Sequence, residues 1–92
     1  MTNDELEVAR TVGKIKDPIA EAKRRWPDFR HEVKVQGSTT FLFAYWTRAG
    51  KRRGFKDPVP SSPSPQDITT ALEHVATAAL ISAEHDRLAG AR

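Results

Sequence analysis

From His31 to Lys56 the chain alternates in the manner of a folded ribbon. The run HEVKVQGSTTFLFAYWTRAGKRRGFK is rich in β-branched and aromatic residues. Two pairs of turn residues, Gly37-Ser38 and Ala49-Gly50, divide it into three. A Gly-Ser pair suits a two-residue hairpin turn with glycine first. The pattern predicts a three-stranded antiparallel meander over 31–56.

Turns of fixed length fix register, and register decides which side chains share a face. The first turn sets Gln36 opposite Thr39, and hence Val35 opposite Thr40, Lys34 opposite Phe41, Val33 opposite Leu42 and Glu32 opposite Phe43. The second sets Arg48 opposite Lys51, and hence Thr47 opposite Arg52, Trp46 opposite Arg53, Tyr45 opposite Gly54, Ala44 opposite Phe55 and Phe43 opposite Lys56. Directly opposed residues lie on one side of a sheet. One face then collects Val33, Val35, Leu42, Ala44, Trp46 and Phe55, with Arg53 near its rim. This apolar face is expected to pack on helices. The other collects Phe41, Phe43 and Tyr45 among Glu32, Lys34, Arg52, Lys56 and Arg30. Two arrangements are open for this second face. Alternating aromatics on a central strand are commonly core, and a helix on each face would bury them while the lysines reached outward. Left uncovered, the same rings and cations would form a recognition surface.

The flanks read as helices. Thr2 and Glu5 have the spacing of a capping box. Leu6, Ala9, Val12, Ile15, Ile19, Ala22 and Trp26 follow in steps of three and four, a helical stripe. Asp17 before Pro18 looks like a fresh N-cap with proline at the first helical position, so a helix over 3–15 breaks or kinks before a second over 18–25. Pro27 stops it. The stretch DPVPSSPSP has four prolines in nine residues and is expected to be a stiff connector, neither strand nor helix. Ser64, Pro65 and Asp67 open a last helix over 65–89. Its stripe is Ile68, Leu72, Val75, Ala79 and Ser82 or Ala83, and Gly90 ends it. The predicted class is α+β in the order α(α)-β-β-β-α. It is one domain of 92 residues, divided into 3–25 helical, 31–56 meander, 57–64 connector and 65–89 helix.

Charge is distributed unevenly. From Arg10 to Lys56 there are thirteen Lys or Arg against four acids, a balance of +9, whereas 1–9 and 57–92 each carry −3. All seven aromatics lie between Trp26 and Phe55. A basic, aromatic middle favours polyanions or acidic proteins as partners. No apolar run approaches the roughly 20 residues of a membrane helix. The acidic amino terminus lacks signal-peptide character, and cysteine is absent. The expected setting is the cytoplasm, with no membrane partner. Without cysteine, and with three scattered histidines (His31, His74, His85), no metal or other cofactor is expected. No phosphate loop, nucleophile elbow or carboxylate pair is present, so no enzyme is expected.

The segment FAYWTRAGKRRGFKD followed by a helix resembles the sheet-plus-helix DNA-binding domains of tyrosine-recombinase arm regions and of the plant-type AP2 domain. The resemblance rests on Tyr45, Gly50-Lys51-Arg52 and Phe55. It implies a sheet that enters the major groove, a helix that braces its back, and DNA contacts from Arg48, Lys51, Arg52 and Arg53. The element order is also similar to that of double-stranded RNA-binding domains, without their Lys-Lys pair, since 65–70 contain no cation.

The function expected is a small non-enzymatic nucleic-acid-binding domain, with DNA ahead of RNA. Arg48, Lys51, Arg52, Arg53, Lys34 and Lys56 would meet phosphate or base edges, and Phe41, Phe43 and Tyr45 would stack or pack. The alternative is a phage- or plasmid-type inhibitor or adaptor that docks on an acidic protein or a nucleoprotein complex. A homodimer through the C-terminal helix is a third option, because Ala71, Ala76, Ala78, Ala79 and Ala83 permit close helix approach.

Overall fold

The computed structural model describes residues 2–90. In chain order the elements are α1 (Asn3–Gly13), α2 (Pro18–Arg25), β1 (Arg30–Gln36), β2 (Thr39–Arg48), β3 (Lys51–Val59) and α3 (Pro65–Gly90). The fold is α+β, with one antiparallel sheet ordered β1-β2-β3.

Each helix starts where its polar caps are. The Glu5 amide donates to Thr2 Oγ1 (3.1 Å) and the Ala20 amide to Asp17 Oδ1 (3.1 Å). At α3 the cap is reciprocal: the Asp67 amide donates to Ser64 Oγ (3.1 Å) and the Ser64 amide to Asp67 Oδ2 (2.9 Å). The α1–α2 break falls at Pro18, which takes the first position of α2.

Both turns hold the predicted register, from Gln36↔Thr39 back to Arg30↔Tyr45 and from Arg48↔Lys51 out to Thr40↔Val59. Gly37 has φ +63° with no positive φ at Ser38, as a glycine-first turn requires. In the second turn Ala49 (φ 53°) and Gly50 (φ 77°) are both left-handed.

β3 runs on to Val59, so Asp57, Pro58 and Val59 are strand and the connector shrinks to 60–64. The expectation that this stretch could not be strand is corrected by topology. β3 is an edge, and a proline there sacrifices no bond to a further strand when its nitrogen points outward.

The core gathers Val8, Val12, Ala22, Trp26, Phe29, Leu42, Ala44, Trp46, Ala71, Leu72, Val75, Ala76, Ala79 and Leu80. Trp46 lies at its centre, its ring centroid 5.5 Å from Trp26, 5.7 Å from Phe29 and 5.5 Å from Phe55. α3 packs on β2 and β3 on one side and on α1 and α2 on the other. This two-sided burial explains why its buried stripe is wider than predicted, adding Ala71, Ala76 and Leu80. Ala71, Ala76 and Ala79 are consumed within the chain (3%, 0% and 0% exposed), which removes them from any helix-mediated dimer.

Two further expectations are corrected. In α1 the buried residues are Val8 and Val12, while Leu6 is exposed. Successive steps of three drift about 60° each on a helix of 3.6 residues per turn, so with Val12 in the core the same series leaves Leu6 turned away from it. On the sheet, Val33, Val35 and Phe55 share the parity of Leu42 and Trp46 but are 40%, 69% and 38% exposed. A helix about 10 Å across covers roughly two strands spaced about 4.8 Å apart. α3 sits on β2 and the 57–59 end of β3, and α1 and α2 stack on α3. β1 overhangs with all seven residues exposed, and β3 is left exposed from Lys51 to Lys56, Phe55 included.

Candidate nucleic-acid interface

Along β2 burial alternates strictly. Thr40, Leu42, Ala44 and Trp46 are buried, while Phe41, Phe43 and Tyr45 are half-buried and outside the core. The three rings form a ladder on the face opposite α3. Phe41 and Phe43 meet edge-on with centroids 6.0 Å apart, and Phe43 and Tyr45 stack at 6.1 Å. Of the two arrangements left open by the sequence, the uncovered one is found.

What half-buries the rings is cationic side chains from both neighbouring strands. Lys56 Nζ lies 4.4 Å from the Phe41 centroid and 5.9 Å from that of Phe43. Lys34 Nζ lies 5.9 Å from Phe43 and 5.8 Å from Tyr45, and the Arg52 guanidinium 5.6 Å from Tyr45. Ammonium and guanidinium groups are held there by the negative ring faces. Lys56 also donates to Gln36 Oε1 (3.0 Å), which ties β3 to β1 across the ladder. Gly54 lies opposite Tyr45; a Cβ there would rest against Tyr45 Cδ1 at an ordinary 3.5 Å and meet the Ala44 carbonyl oxygen more tightly, at 3.3 Å.

One acid interrupts this face. Glu32 pairs with Lys34 at 2.9 Å. Its carboxyl is held below the usual range by hydrogen bonds from Lys34 and then Tyr45, and Lys34 is raised by Glu32 in turn. Beside them Arg30, Glu32, Lys34, Tyr45 and Arg52 border a shallow hollow on the sheet surface.

The four cations of the second turn do not act as one cluster. Only Arg52 has the parity of the aromatic ladder. Arg53, opposite Trp46, and Lys51, opposite Arg48, lie on the helix-side parity and are exposed. Arg48 turns toward α3 and pairs with Asp86, its side chain only 16% exposed. The structure thus brings together Lys34, Arg52, Lys56, Phe41, Phe43 and Tyr45, and separates Arg48 from them. No local signal in the sequence marked Arg48, because its partner lies 38 positions away.

Among the described residues no three potential ligands are grouped to hold a metal ion. His74 instead pairs with Asp57 at 3.1 Å, joining α3 to β3. No helix among the described residues is long and apolar enough to cross a membrane. In comparisons with known proteins, no family model, curated sequence or solved structure matches the chain.

Proposed function

We propose that the chain is a non-enzymatic nucleic-acid-binding domain, DNA ahead of RNA, that docks through the outer face of its sheet. The observation that carries the reading is the uncovered Phe41-Phe43-Tyr45 ladder with Lys34, Arg52 and Lys56 over its rings. Rings offer every base a stacking surface, and the cations are already placed to exchange a ring for a phosphate. Lys51 and Arg53 lie on the other parity of the sheet and are left out of this track, while Arg48 serves the fold.

Titration of an oligonucleotide against salt tests the reading. Log affinity is expected to fall linearly with log salt, and Lys34→Gln, Arg52→Gln and Lys56→Gln together to flatten the slope by roughly two to three. Phe43→Leu, which keeps the strand apolar, is expected to cost about 1–3 kcal/mol of binding if a base stacks there. Absence of binding to both single-stranded and duplex oligonucleotides at ~50 mM salt ends the proposal.

A second reading, docking on a protein as an inhibitor or adaptor, is favoured by Glu32. A carboxylate at the middle of the cationic face repels phosphate but suits a partner surface of mixed charge. Capture of one protein partner that survives nuclease treatment, with no oligonucleotide binding, selects it.

A further inference from the structure

The two edges of the sheet differ. β3 carries Lys51, Arg52, Arg53, Lys56 and Pro58, charges and a proline of the kind that discourage added strands. β1 has no proline and is exposed along its whole length, with Val33 and Val35 uncovered. The two-residue turn at Gly37-Ser38 also decides which backbone groups of β1 are free. Gln36 and Thr39 flank the turn as a hydrogen-bonded pair, so the amides and carbonyls of Gln36, Lys34, Glu32 and Arg30 point to β2. Those of His31, Val33 and Val35 point outward.

We propose that β1 pairs with β1 of a second copy, antiparallel and centred on Val33, joining two sheets into one of six strands. Centring on Val33 overlaps all seven residues of the strand, and the three outward-pointing residues then meet one another. Val33 faces its own copy and His31 faces Val35, twice, giving about six backbone hydrogen bonds at two per pair. The same register sets Glu32 opposite Lys34 of the second copy, and Lys34 opposite its Glu32. These fall at the non-hydrogen-bonded pairs, where side chains approach most closely. Neighbouring registers lose this match. Centring on Glu32 opposes Glu32 to itself and Lys34 to Arg30, and centring on Lys34 opposes Lys34 to itself. Centring on His31 or Val35 leaves only three residues overlapped. Charge and backbone therefore select one alignment, and the strand is its own complement.

The inference is independent of nucleic-acid binding, and its test contains no nucleic acid. Wild-type protein at ~100 μM, a concentration suited to a small interface, is expected to sediment at twice the chain mass of 10.3 kDa. Glu32→Lys and Lys34→Glu each place like charges opposite one another and are expected to sediment as monomers. Mixed in equal amounts they become complementary across the axis, and the doubled mass is expected to return. Val33→Lys, at an exposed position, is an independent disruption expected to give a monomer. Circular dichroism confirms that each variant is folded. A monomeric wild type at ~100 μM, or single variants that dimerise as tightly as wild type, or a mixture that stays monomeric, overturns the proposal.

Discussion

Ala49 is the one described non-glycine residue with positive φ (53°), and Gly50 follows it at 77°. An L-residue with a Cβ is strained there, whereas Asn-Gly is the preferred pair for a hairpin turn with two left-handed positions. Ala49→Asn is expected to stabilise the protein by about 0.5–1 kcal/mol, read as a higher urea midpoint with unchanged slope. Glu21 gives a pH dependence. Hydrogen bonds from Arg24 and then Arg25 bring its carboxyl from the ordinary 4.5 to about 2. The folded chain takes up this proton less readily than the unfolded one. The stabilisation is therefore complete above pH 4.5 and is lost as pH falls toward 2. Asp28 is lowered as well, chiefly by hydrogen bonding to Thr47, and so is Glu32. Urea midpoints measured through this acid range are expected to fall for wild type and less steeply for Glu21→Gln.

Among the elements, the helices are linked by a chain of charges. Arg25 on α2 reaches Glu84 on α3 at 3.5 Å, Glu84 holds Arg87 at 2.8 Å, and Arg87 reaches Glu7 on α1 at 3.6 Å. Glu84 is the buried member, 6% exposed. Glu84→Gln removes the charge that two arginines face, and a loss of about 1–2 kcal/mol is expected in chemical denaturation, discounted because both arginines are partly exposed. Such links were illegible in the sequence because they join residues from separate elements. The sheet register was legible, because two-residue turns leave a meander no freedom and Gly37 and Gly50 marked them. Where the reading failed, it treated a face as uniform. Val33 and Val35 share a parity with Leu42, yet only the width of one helix decides how far cover extends. The ladder of Phe41, Phe43 and Tyr45 could be read as a row, but its exposure could not, since it depends on α1 and α2 stacking behind α3 rather than crossing the sheet.

At the scale of the molecule, the outer face of the sheet carries cations in excess of acids. Arg30, Lys34, Arg52 and Lys56 share that face with Glu32, while Arg10, Lys14, Lys16, Lys23, Arg24 and Arg25 belong to the helical segment before the sheet. A face with this balance attracts an approaching polyanion, and added salt is expected to slow association more than it speeds release. Stopped-flow association rates with an oligonucleotide at several salt concentrations check this. The proline and cations on β3 bear on how far a sheet of this kind can grow. A pair joined back to back at β1 has a guarded strand at each end, so every further copy meets a closed border. Assembly would then stop at a symmetric pair instead of running on into a fibre, and crowding this protein in the test tube should leave the solution clear.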